Sequence, residues 1–264
     1  MNILSNIAAH KRLEVAERRV LYPVTHLVQS RLFNRATLSM TEYLQCEGAS
    51  GIIAEFKKMS PSKGIIHAGA RVEEITPGYI QAGASALSVL TDTKFFGGSN
   101  EDLLAARKIN NCPILRKDFV VDPYQVIEAK SIGADAILLI AAILTPAETL
   151  ELATLARTLG METILEVHGE SEMSHINDQI NILGVNNRNL ADFKVSLNIS
   201  IGLSELIPDG ILAISESGIH KPADIFLLRK YGYQGFLIGE KFMSTDNPAS
   251  ACGAFISELK AGEK

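Results

Sequence analysis

No run of this chain is long and apolar enough to cross a bilayer. The longest, residues 136–144, covers less than half of the roughly 20 residues a membrane helix needs. A basic excess is missing too. With 25 Lys and Arg against 30 Asp and Glu, the net charge of −5 cannot neutralise a phosphate backbone. This argues against a nucleic-acid binder and makes any anion site a local one. Cysteine is scarce: Cys46, Cys112 and Cys252 lie far apart, odd in number and in no CxxC pair. Neither a disulfide framework nor a zinc knuckle is expected, and a reducing cytoplasm is the natural setting. The first residues, MNILSNIAAHKRLEVAERR, lack the apolar core of a signal peptide. His10, His26, His67, His168, His175 and His220 are scattered, with no HxxxH pair. They read as surface or satisfied side chains, and no metal is expected. There is no GxGxxG, so no dinucleotide fingerprint, and no linker rich in Pro, Gly or Ser.

What is present is alternation. From residue 51, short apolar runs alternate with helical segments: GIIAEF with VEEITPGYIQAG, ALSVLT with NEDLLAARKIN, PILRKDF with PYQVIEAKSIG, DAILLIAAI with PAETLELATLARTLG. The same continues in ETILEV with SEMSHIND, NILGVNN with LNISIGLSEL, GILAISESG with KPADIFLLRKYG, and QGFLIGE with PASACGAFISELK. Gly83, Gly133, Gly160 and Gly232 stand where helices stop, and Pro123, Pro146, Pro222 and Pro248 where they start. Eight units with continuously apolar strands imply a parallel sheet buried on both faces. The expected fold is α/β: a single (β/α)8 TIM barrel over residues 51–264, with an N-terminal helical extension over 1–50, in one domain. A doubly wound open sheet is the competing arrangement. The extension reads as a solvated helix covering the barrel, with Ile3, Ile7, Ala8, Leu13 and Val15 on its apolar face and polar residues able to lid the mouth. A short helix is expected around Thr41–Leu44.

In such barrels the site lies at the C-terminal ends of the strands. Strand 1 ends in Glu55 and Lys57, two apart and therefore on one face, the barrel interior. Strand 3 ends in Lys117, strand 5 in Glu166, strand 6 in Asn186 followed by Arg188, and strand 7 in Ser215, Glu216 and Ser217. One charged strand end is ordinarily just solvated. Five strands ending this way converge on chemistry, because an unpaired inward charge is costly. A lysine can protonate a carbonyl oxygen while a glutamate accepts or relays a proton. A lysine can also form a Schiff base, and the residue types leave both open. SESG (215–218) and GEKF (239–242) follow strands 7 and 8, where many barrels bind phosphate. Phe95 and Phe96, after strand 2, suit stacking on an aromatic substrate or a place in the core.

The segment IIAEFKKMSPSKGII (52–66) resembles the signature of the indole-3-glycerol phosphate synthase family. The resemblance continues through ALSVLTDTKFFGGSNEDL (86–103), PILRKDFVVDPYQVIEAKSIGADAILLI (113–140), LEVH (165–168), GVNNRNL (184–190), ISESGI (214–219) and FLIGE (236–240). It implies a carboxy-lyase of tryptophan biosynthesis that uses no cofactor. The substrate would be 1-(2-carboxyphenylamino)-1-deoxyribulose 5-phosphate, which loses CO₂ and water as the indole ring closes. On the matching positions, Lys117 would be the general acid at the ketose carbonyl. Lys57 would hold the substrate carboxylate and take part in proton transfer, and Glu166 would act as acid or base around dehydration. Glu55 and Asn186 would orient these groups, and Ser217 would assist near the ring. Ser60, Gly218, Gly239 and the Glu240 backbone would cradle the phosphate, Phe96, Phe119 and Leu138 would line the anthranilate pocket, and Arg188 joins the substrate-binding set. A monomer is expected, open to weak association with other enzymes of the pathway, and because the chain ends soon after the eighth helix no fused isomerase domain is expected. Asn189, Lys241 and Phe242 depart from the family's usual residues, and Tyr22–Ser50 matches only loosely. Another phosphate-binding barrel, such as a sugar-phosphate isomerase, and a non-catalytic member of a tryptophan-pathway complex are the competing readings.

Overall fold

The computed structural model describes residues 3–189 and 193–262; Leu190, the last residue of the GVNNRNL motif, lies outside them, as do Met1 and Asn2 of the extension. Eight parallel strands close into a barrel: β1 (Ile52–Phe56), β2 (Ala86–Leu90), β3 (Ile114–Lys117), β4 (Ala136–Ile140), β5 (Glu162–Val167), β6 (Ile182–Asn186), β7 (Leu212–Glu216) and β8 (Gly235–Ile238). Closure comes from β1 pairing with both β2 and β8, with Ile52 opposite Phe236 and Glu55 opposite Ser88.

Strand parity sorts the side chains. Val89, Ile137, Leu139, Leu165, Val167, Leu183 and Val185 face outward into a core shared with the surrounding helices. Ile53, Ala86, Leu115, Leu138, Ile164, Ile182, Leu212, Ile214 and Leu237 fill the barrel interior. Ile53, Leu115, Ile164, Ile214 and Leu237 are therefore followed, two residues on, by Glu55, Lys117, Glu166, Glu216 and Gly239 at the mouth. The glycines at the helix stops all take the left-handed conformation that favours glycine, Gly83 at φ 101° and Gly133 at φ 89° among them. Pro123, Pro146, Pro222 and Pro248 each open a helix; Asp122, Thr145 and Asn247 cap three of these through their side chains.

The extension plugs both ends of the barrel. Helix α1 (Ile3–Leu21) lays Leu4 and Ile7 against the apolar barrel interior, and α2 (Met40–Gln45) does the same with Met40 and Leu44. Two expectations need correction. Leu13 is 66% exposed, and the buried stripe of α1 runs through Leu4, Ile7, Lys11 and Val15. Leu13 lies about 200° around the helix from Lys11, on the opposite side. The segment SEMSHIND forms no α-helix but a 3₁₀ stretch, Glu170–His175. It is short, and its last residue is pinned to the neighbouring helix by Thr149, whose Oγ1 lies 3.0 Å from His175 Nδ1.

Candidate active site

A cavity of about 460 Å³ opens at the C-terminal mouth. Glu55, Lys57, Ser60, Phe96, Lys117, Phe119, Leu138, Glu166, Asn186, Arg188, Ser217, Gly218, Gly239 and Glu240, all singled out in the sequence, line it. The barrel thus gathers residues from all eight strand ends and the β1 loop on one space.

Its floor is a chain of alternating charges. Lys57 donates to Glu55 Oε1 at 2.7 Å, and Ser88 Oγ donates to Glu55 Oε2 at 3.4 Å. Lys117 Nζ lies 3.1 Å from Glu166 Oε2 and 3.5 Å from Glu216 Oε2. Burial disfavours the Lys117 ammonium, but Glu166, Glu216 and Glu55 outweigh it and hold the group protonated above its ordinary range. Burial likewise pushes against the Glu166 carboxylate. Lys117 and His168 more than offset this and keep it ionised well below the usual carboxylate range. Glu216 goes the other way. Burial, reinforced by the nearby charges of Glu166 and Glu55 against the pull of Lys117, raises it to about 8. Two carboxylates around one ammonium are thus split into an ionised one and one that keeps its proton near neutrality.

Glu216 was named as a strand end but given no role in the sequence reading. Parity was the signal: Leu212 and Ile214 face the interior, so residue 216 must as well. Space for it comes from β6. A Cβ on Gly184 would sit 2.5 Å from Glu216 Oε1. Gly184→Ala is expected to push Glu216 off Lys117 and lower kcat/KM about tenfold, since overpacking of this kind costs ~1–3 kcal/mol. Steady-state kinetics beside a thermal melt separate this from a general loss of folding. Gly239 serves Glu55 in the same way, where a Cβ would approach its Oε1 to 2.5 Å.

The walls differ in character. Phe96 and Phe119 stand with ring centroids 5.9 Å apart and, with Leu138, make an apolar side suited to an aromatic ring. The opposite rim is polar and glycine-rich. The Lys63 ammonium and the Arg188 guanidinium lie 3.5 and 3.3 Å from Glu240. Ser60 sits in a two-stranded hairpin, Met59–Ser60 with Gly64–Ile65, that overhangs this rim. Asn186 Oδ1 accepts the Arg188 backbone N–H at 3.0 Å. Ser217 has a left-handed backbone, φ 67°, unusual for a residue with a Cβ. Buried Asn187 supports that turn, donating to the Ser217 carbonyl at 3.1 Å and to Ser215 Oγ at 2.8 Å. Of the departures, Lys241 lines the cavity, Asn189 is exposed, and Phe242 is buried between Tyr79 and Phe255, away from the mouth. Among the described residues, no group of three or more His, Cys, Asp or Glu is placed to hold a metal ion.

A closed parallel barrel with an acid–base cluster, an apolar wall and a glycine-rich rim at its C-terminal mouth defines a TIM-barrel enzyme. Solved structures agree on the fold. The tryptophan synthase alpha subunit of Legionella pneumophila superposes with a TM-score of 0.61 at 15% identity, over 84% of this chain and 95% of that one. A tryptophan synthase structure from Pyrococcus furiosus gives 0.58 at 14%, over 81% and 98%. The sequence comparisons go further. The indole-3-glycerol phosphate synthase family matches residues 4–255. The chain is 46% identical to the indole-3-glycerol phosphate synthase of Bacteroides thetaiotaomicron over 259 residues, 98% of this chain and 99% of that one. It is 42% identical to that of Bordetella pertussis over 251 residues, 94% and 96%. The chain belongs to the indole-3-glycerol phosphate synthase family.

Proposed function

We propose that this protein closes the indole ring of 1-(2-carboxyphenylamino)-1-deoxyribulose 5-phosphate, releasing CO₂ and water, as the carboxy-lyase of tryptophan biosynthesis. The observation that carries the mechanism is Lys117, an ammonium held on the cavity floor within 3.5 Å of two carboxylates. Lys117 gives its proton to the ketose oxygen as the ring carbon bearing the carboxylate attacks the carbonyl carbon. The new C–C bond turns the ring nitrogen into an iminium, and the electrons of the departing carboxylate flow into it as CO₂ leaves. Loss of the hydroxyl as water, with Glu166 moving the proton, completes the aromatic ring. Lys57, held by Glu55, binds the substrate carboxylate and takes part in proton transfer, and Asn186 and Ser217 orient the reacting atoms. Phe96, Phe119 and Leu138 take the anthranilate ring. Ser60, Gly218, Gly239 and the Glu240 backbone take the phosphate, and Arg188 binds beside them. The supporting features are an apolar wall and a glycine-rich rim on opposite sides of one floor.

The test is direct. Purified, chelator-treated protein mixed with the carboxyphenylamino-deoxyribulose phosphate should produce rising indole fluorescence without added cofactor. Substrate binding without any fluorescence rise would overturn the reading. The pH profile carries a second expectation. Glu216 keeps its proton up to about pH 8, so above that it adds a second negative charge beside Lys117 and makes the ammonium a weaker acid. The kcat/KM of the wild type should fall above about pH 8 and that limb should vanish in Glu216→Gln. We also propose a cytoplasmic setting. In support, all three cysteines are free, burial pushes the thiols of Cys112 and Cys252 up to about 12, and no described helix is long and apolar enough to cross a membrane.

A further inference from the structure

Behind Glu166, on the side away from Lys117, the barrel wall holds a second polar chain. His168 follows Glu166 by two residues, so both leave β5 on the same face. Its Nε2 lies 3.3 Å from Glu166 Oε1, and its Nδ1 lies 3.3 Å from Glu172 Oε2. The ring is therefore lodged between two carboxylates, with its side chain only 11% exposed. Glu172 is anchored independently, because its Oε2 accepts the His168 backbone N–H at 2.7 Å. Glu172 is also the outermost member, with its side chain 21% exposed. Glu166 thus divides its oxygens, Oε2 to Lys117 and Oε1 to His168.

We propose that His168 is a positioning residue: an imidazolium seated between Glu166 and Glu172 that fixes the direction and charge of the Glu166 carboxylate. Each ring nitrogen faces a carboxylate oxygen at 3.3 Å, and two anions on opposite edges of one ring make the cation the fitting form. Burial opposes the charge, but the two carboxylates raise the group to about 9. The charges around the pair are few. Lys117, Glu216 and Glu55 lie on the cavity side, Glu172 behind, and His175 at the end of the same 3₁₀ stretch, held neutral by burial. With hydrogen on both nitrogens the ring takes no proton from Glu166; it acts on that carboxylate by charge and by the direction of its Nε2–H, and Glu172 holds the ring in that form from behind.

The inference rests on the reading of Glu166 as the acid–base group, so Glu166→Gln is measured alongside. In the full-length wild type, ¹⁵N shifts of the His168 ring at about pH 7 should report both nitrogens protonated, and in Glu166→Gln the ring should titrate at lower pH. His168→Asn should lower kcat about tenfold with KM nearly unchanged, the equivalent of about one pKa unit at Glu166, and should bring a fall in kcat on the acidic side that the wild type lacks. Glu172→Gln, which leaves the ring in place, should show the same pattern in smaller measure. A neutral His168 ring, or a His168→Asn profile identical in shape to the wild type, overturns the proposal. So does a KM that rises in step with the loss of kcat, which marks a merely structural role. If Glu166→Gln is inactive in any of these cases, the reading of Glu166 survives; if Glu166→Gln turns over as the wild type does, both fall together.

Discussion

Lys117→Met is expected to abolish indole formation, with kcat lower by at least about a thousandfold, and to leave a folded barrel. The size of the effect follows from the two roles proposed for the ammonium: the proton at the carbonyl, worth 10²–10⁴-fold for a positioned acid, and stabilisation of the oxygen on which charge develops. Survival of the fold follows from the neighbouring groups. Removing a buried cation ordinarily leaves uncompensated carboxylates, which is severely destabilising. Here Glu216 already keeps its proton to about pH 8 with Lys117 present, and without it the Glu166 and Glu216 pair is able to hold a proton at neutral pH. Methionine fills the space of the lysine stem. Fluorescence turnover together with a thermal melt checks both halves. A variant that turns over within about tenfold of the wild type would remove Lys117 from the general-acid role.

The outline of this enzyme was legible because its signals are local. Glycine and proline mark the helix ends within a few residues, and the parity of a strand is read directly from the chain. The same parity that sets Leu115 and Ile164 in the barrel interior sends Lys117 and Glu166 into the mouth. What stayed hidden depends on partners distant in sequence. Lys11 stands among charged neighbours and reads as a solvated residue, yet it is fully buried. Its partners Asp92 and Asp118 follow the second and third strands, and only the folded barrel brings them to α1. Glu216 was within reach of the parity rule, but its function depends on the room left by Gly184 on the adjacent strand, which no single segment reveals. His168 looked like one of six scattered histidines because Glu172, the far side of its clamp, sits in a segment whose 3₁₀ form the pattern did not predict.

Lys11→Met is expected to destabilise the protein by about 3–5 kcal/mol, the cost of breaking a buried ion pair from one side. Its ammonium lies 2.8 Å from Asp92 Oδ2 and 3.0 Å from Asp118 Oδ1, with Glu14 at 3.1 Å. Both aspartates hold up the active-site wall. Asp92 Oδ1 accepts the Phe95 N–H at 2.7 Å and so caps the turn that carries Phe96. Asp118 Oδ1 accepts the Phe119 N–H at 2.8 Å and follows Lys117 directly. The loss should therefore appear in two places, as a melting temperature lower by roughly 10 °C for a domain of this size and as a raised KM from a loosened Phe96–Phe119 wall. Its pH dependence is fixed by Asp118. Burial raises that carboxyl, but Lys11 and Arg116 pull it down to about 2, below its unfolded value of 3.8. A depressed carboxylate stabilises the fold above the unfolded value, and that stabilisation disappears as pH falls toward the folded one. The gap between wild type and Lys11→Met should accordingly be widest at neutral pH and narrow below about pH 4. A variant that melts with the wild type at neutral pH would make α1 a passive cover. The expected result makes it a brace, because the same cation that fastens the helix to the barrel fixes the two loops that carry Phe96 and Phe119.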